Sequence, residues 1–72
     1  MPLYNQLKEY RAKKNLNQQQ LGGLVGASRQ TISLIERGDY SPSVTLAIKI
    51  AKVFDAAVED IFSYSEEDGN EE

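Results

Sequence analysis

The sequence predicts an all-α domain, a compact bundle of five short helices, on three observations. Apolar residues return every three or four positions in successive short segments. Helix-starting and helix-stopping residues bound those segments: Asn17, Ser28 and Ser43 before, Gly26 and Gly38 after. No stretch alternates apolar and polar residues with the period of a strand.

Leu3, Leu7 and Tyr10 share one helical face, so the first helix is expected from Tyr4 to Lys14, with Asn15 as its stop. Asn17-Gln18-Gln19-Gln20 reads as a capping box, in which Asn17 accepts from first-turn amides and Gln20 reaches back to the cap. Leu21, Leu24 and Val25 are expected to be the buried face of the second helix, which Gly26 ends in the left-handed conformation. Ser28 caps a third helix, Arg29 to Arg37, with Ile32 and Ile35 inward, and Gly38 ends it. A loop, Asp39-Tyr40-Ser41-Pro42, leads to Ser43 and a fourth helix whose apolar set is Leu46, Ala47, Ile50, Ala51 and Phe54. After a break at Asp55-Ala56-Ala57, Val58, Ile61 and Phe62 fit a short fifth helix, with Glu59 and Asp60 well placed in its first turn. Residues 1–64 are thus expected to be one domain, and residues 65–72 an acidic, disordered tail.

Composition excludes several functions. The chain has 72 residues and neither Cys nor His, so disulfides, thiolate or imidazole metal sites and the commonest general bases are missing. No cofactor, no small-molecule effector and no enzymatic activity are expected. No apolar run reaches membrane-spanning length and no signal peptide is present, so a cytoplasmic location is expected. A net charge of −3 looks wrong for a partner made of phosphate, but its distribution reverses the impression. Residues 1–65 hold all eight basic groups against six acids, a net of +2, and the other five acids follow in the last seven positions.

Two short helices joined by a tight glycine turn make a helix-turn-helix. Gln18 to Arg37 resembles the bihelical unit of the phage-repressor (Cro-type, XRE) family, with Gly22, Gly26, Ile32 and Ile35 at the positions that unit requires. Arg29-Gln30-Thr31-Ile32-Ser33-Leu34-Ile35-Glu36-Arg37-Gly38 resembles the family's recognition helix, and the likeness extends from Leu3 to Phe62. Three features depart from the pattern. Gly22 stands where alanine is usual and Gly23 follows it, Ala57 stands where a Ser or Thr cap is usual, and the acidic tail is additional.

The resemblance implies a sequence-specific transcriptional regulator, a repressor, which binds a palindromic DNA operator as a homodimer with the third helix in the major groove. Base contacts would come from Arg29 to guanine, Gln30 to adenine, Ser33, and Leu34 to a thymine methyl. Arg29 could instead meet phosphate or solvent, and Leu34 could be a lightly buried structural residue. Phosphate contacts would come from Gln18 at a helix N-terminus, from Asn17 and Ser28 in addition to capping, and from Tyr40 and Ser41 in the loop. Arg11 and Glu36 match a family ion pair that would hold the third helix against the first. The remaining apolar surface, Val58, Ile61, Phe62 and Tyr64, is expected to form the dimer interface, or else to close the monomer core. An antitoxin or restriction controller built on the same domain is the runner-up. An interaction module without DNA binding is favoured only by the acidic tail.

Overall fold

The computed structural model describes residues 3–64. Five helices pack around one core: α1 (Leu7–Lys13), α2 (Gln18–Val25), α3 (Arg29–Glu36), α4 (Val44–Val53) and α5 (Val58–Ile61). Two three-residue strands, β1 (Leu3–Asn5) and β2 (Phe62–Tyr64), pair antiparallel with Leu3 opposite Tyr64 and Asn5 opposite Phe62. The fold is all-α with this small ribbon added. The tail expected at residues 65–72 lies outside the described residues.

The ribbon corrects the expected start of the first helix. Tyr4 and Asn5 are extended, and α1 begins at Leu7, where the Asn5 Oδ1 accepts the Leu7 N–H at 3.0 Å. An Asx turn of this kind stops a strand and starts a helix in two residues. Three residues are too few to display a strand's alternation, and their partner lies at the far end of the domain. At the C-terminal end of α1, Asn15 takes a positive φ of 57°, which asparagine tolerates better than most residues.

The middle helices are defined locally. In α2 both halves of the capping box are made: Gln20 N–H to Asn17 Oδ1 at 2.7 Å and Asn17 N–H to Gln20 Oε1 at 2.8 Å. Ser28 Oγ accepts from Thr31 N–H and Ser43 Oγ from Leu46 N–H, each at 3.0 Å. Gly26 closes α2 with φ 76°. α5 is a single turn, because the chain becomes extended at Phe62 to pair with β1; at its start Ala57 offers no side-chain acceptor, and only Asp60 Oδ2 reaches back, to the Ala57 N–H at 3.0 Å.

Leu7, Leu21, Ile32, Ile35, Ile50 and Ile61 are the largest fully buried side chains, one or two from each helix. Leu24 is not among them: it is 61% exposed, against the sequence expectation. Successive helical residues turn by about 100°. Buried Gly22 and Val25 draw the inward arc of α2 to one side of Leu21, and Leu24 falls on the other side. Gly22 is buried for a reason of its own. A Cβ built there would overlap the carbonyl oxygen of Ala27, so the turn into α3 passes directly over the glycine.

Candidate nucleic-acid interface

Helix α3 offers one face and buries the other. Ile32 and Ile35 are 0% and 1% exposed and seat it on the core. Arg29 and Gln30, in its first turn, are exposed, while Ser33 and Leu34 are half-buried one turn on. Ser28 is exposed, but its hydroxyl is engaged with both the N–H and the hydroxyl of Thr31. The first turn of α3 holds no acid, so nothing on the helix itself competes for the Arg29 guanidinium.

Beside this face, Arg11, Asn17, Gln18, Gln19 and Arg29 line an open cleft of about 350 Å³. The capping box occupies the N–H groups of Asn17 and Gln20. Those of Gln18 and Gln19 lie in the first turn of α2, where no intrahelical carbonyl is available to them. The helix N-terminus and the exposed Arg29 guanidinium thus meet on one concave surface, an arrangement suited to a phosphate, while Arg11 lines its floor. In the next loop Tyr40 is 48% exposed and Ser41 is exposed, so both are accessible from solvent.

A partly buried polar network holds the underside. Arg11 Nε donates to Glu36 Oε2 at 2.7 Å and Arg11 Nη2 to Glu36 Oε1 at 3.2 Å, with side chains only 16% and 6% exposed. Arg11 Nη1 donates to the Leu16 carbonyl at 2.9 Å. Gln18 Nε2 adds a third bond to the carboxylate, at 3.0 Å to Oε1. Of the groups Gln18 could turn to phosphate, its main-chain N–H and the second hydrogen on Nε2 remain. The network also removes the acid at the end of α3 from the face offered to solvent. The exposed pair Arg37–Asp39, at 3.3 Å, is worth at most about 1 kcal/mol.

The residues expected at a dimer interface divide. Ile61 and Phe62 are 1% and 8% exposed and belong to the monomer core, which corrects their assignment to a surface. Phe62 turns inward because the chain changes there from helix to strand, and the side chain opposite Asn5 faces the body. Val58 is half-buried against the core, and Tyr64 on β2 is 57% exposed. Sequence reasoning missed Asn5. Its Nδ2 donates to the Ile35 carbonyl at 2.8 Å, and no local pattern signals a partner thirty positions away.

A capped helix, a glycine turn and a second helix presenting Arg and Gln on its free side define a helix-turn-helix DNA-binding unit. The chain belongs to the HTH_3 helix-turn-helix family, of the XRE type, whose model matches residues 7–61. It is 53% identical over 64 residues to an HTH-type transcriptional regulator of Methanocaldococcus jannaschii, covering 89% of this chain and 97% of the relative. Among solved structures, it is similar to the P22 c2 repressor protein in complex with a synthetic operator, with TM-score 0.71 and 26% identity over 74% of this chain and 80% of that one. It is also similar to the restriction-modification controller C.AhdI of Aeromonas hydrophila, with TM-score 0.69 and 31% identity over 75% of this chain and 82% of that one. The chain is a helix-turn-helix transcriptional regulator, a DNA-binding protein and not an enzyme. No helix among the described residues is long and apolar enough to cross a membrane.

Proposed function

We propose that the protein is a cytoplasmic repressor that binds a palindromic operator as a homodimer, with α3 in the major groove. The observation that carries this reading is the free first turn of α3, with Arg29 and Gln30 exposed beside a cleft floored by the N-terminus of α2. Arg29 has the fork of donors that matches guanine O6 and N7, and Gln30 the donor–acceptor pair that matches adenine N6 and N7. Ser33 and Leu34 would follow along the groove, Leu34 against a thymine methyl. Asn17, Gln18, Ser28, Tyr40 and Ser41 would clasp the flanking phosphates, fixing register without reading sequence. The operator held by the similar P22 c2 repressor supports the assignment of a DNA ligand.

One recognition helix reads only a few base pairs, so a second copy about 34 Å away along the duplex doubles the code. Exposed Tyr64 and half-buried Val58 are the apolar residues near the C-terminal side of the domain that such a contact would use. Selection of bound duplexes from a random pool, followed by titration at two salt concentrations, tests the reading. A symmetric consensus with a steep salt dependence is expected. An unenriched pool defeats it. The similarity to C.AhdI favours a second reading, a restriction controller. It predicts that the selected sequence lies ahead of genes for a methyltransferase and an endonuclease.

A further inference from the structure

We propose that Asn5 is a positioning residue for the recognition helix: its side chain ties β1 to the carbonyl end of α3 and sets the angle at which Arg29 and Gln30 are offered to bases. The inference rests on the reading of α3 as the base-reading helix.

Both ends of the Asn5 amide are in use. Nδ2 donates to the Ile35 carbonyl at 2.8 Å, and Oδ1 accepts from the Leu7 N–H at 3.0 Å. A flipped amide would set oxygen against oxygen at one contact and N–H against N–H at the other, so a single orientation is held. The Ile35 carbonyl lies in the last turn of α3 and already accepts the Gly38 N–H at 3.0 Å, so Asn5 Nδ2 takes its second acceptor position from outside the helix. The backbone behind Asn5 is fixed in turn. It pairs with Phe62 across the ribbon, and the next residue, Gln6, donates its N–H to the Ile61 carbonyl at 2.8 Å.

The neighbouring residue supplies a second point of attachment. Glu36 fastens the same end of α3 to α1 and α2 through Arg11 and Gln18. Ile32 and Ile35 seat the helix on the core, and the Asn5 and Glu36 bonds fasten its C-terminal end to separate elements, so losing the Asn5 bond removes one of the restraints on its tilt. The leverage is large. Arg29 lies six residues from Ile35, roughly 9 Å along the axis, so a tilt of roughly 10° displaces it by roughly 1.5 Å. A base-edge hydrogen bond does not survive a displacement of that size.

Two variants separate aim from folding. N5D keeps an acceptor for the Leu7 N–H and replaces the donor with a carboxylate oxygen. N5S also keeps an acceptor, is too short to reach Ile35, and carries the test should the charge in N5D unfold the chain. Each is compared with the unsubstituted protein by competition between its selected operator and a scrambled duplex, at a temperature where circular dichroism shows every protein fully folded. We expect the preference for operator to fall about tenfold, the equivalent of one lost hydrogen bond. The slope of log affinity against log salt should not change, because the phosphate contacts remain. A purely structural Asn5 would lower the melting temperature and leave the preference of folded molecules intact, and that result overturns the proposal. If the unsubstituted protein itself shows no preference, the DNA-reading assignment fails, and this inference with it.

Discussion

At the scale of single residues, the two adjacent glycines of α2 make opposite predictions. Helix propensity alone favours alanine over glycine by about 1 kcal/mol at either position. Gly23 is exposed, and a Cβ there meets nothing within 4 Å, so Gly23→Ala should raise stability by about that amount. At Gly22 the added Cβ runs into backbone, the Ala27 carbonyl, which cannot swing away as a side chain could. Gly22→Ala should therefore lower stability by about 1–3 kcal/mol, the usual cost of overpacking. Urea titrations of the two variants read the difference directly, and equal effects would contradict the close approach of turn and helix. A second contrast separates holding from reading. Glu36→Gln strands the Arg11 guanidinium under α3 and should cost about 3–5 kcal/mol, with operator binding lost mainly through unfolding. Arg29→Ala removes an exposed side chain, so it should leave the melting temperature nearly unchanged and abolish operator preference. Melting Glu36→Gln within a degree or two of the unsubstituted protein would mean that the pair does not hold the helix.

At the scale of elements, α5 is the weakest, one turn begun by a residue that cannot cap it. Ala57 already has the extended conformation of an N-cap, with φ −80° and ψ 154°. Ala57→Ser should therefore add an acceptor without moving the chain and raise stability by about 1 kcal/mol. No gain in thermal melting would show that Asp60 already suffices. The capping chemistry also explains how much of the structure was readable in advance. The starts of α2, α3 and α4 were legible because Asn17, Ser28 and Ser43 each find their partner three positions ahead. The start of α1 was not, because β1 exists only through pairing with β2. Periodicity at Ile32 and Ile35 was enough to indicate which side of α3 faces solvent. It could not indicate that Gln18 bonds Glu36 or that Asn5 reaches Ile35, since both depend on how separate elements come together. Leu24 shows the opposite error: the apolar spacing was real, but the small buried residue beside it, Gly22, had turned the helix.

At the scale of the whole molecule, charge is divided between a body of +2 over residues 1–65 and five acids in the seven residues that follow. Tethered carboxylates compete with phosphate for a basic face through the same field, over about 10 Å at moderate salt. Removing residues 65–72 should strengthen non-specific DNA binding at low salt and leave the selected consensus unchanged. Unaltered non-specific affinity would assign those acids to solubility alone. The proposed homodimer has its own check. Sedimentation at tens of micromolar, with and without a palindromic duplex, should show a two-fold assembly at least on DNA, and a monomer under both conditions would remove the second recognition helix from the account.

The ribbon has a consequence for biosynthesis. Leu3–Asn5 leave the ribosome among the first residues of the domain, and Phe62–Tyr64 among the last. Helices α1 to α4 can collapse on one another while the chain is still being extended, since their contacts are mostly local. The bonds that anchor Asn5, the ladder to Phe62 and the Gln6 N–H to the Ile61 carbonyl, close only when the final turn has been translated. A chain that has not yet supplied residues 61–64 would carry all of its helix-turn-helix but no ladder behind Asn5, so under the proposed role of Asn5 the recognition helix reaches its final alignment only after β2 has formed.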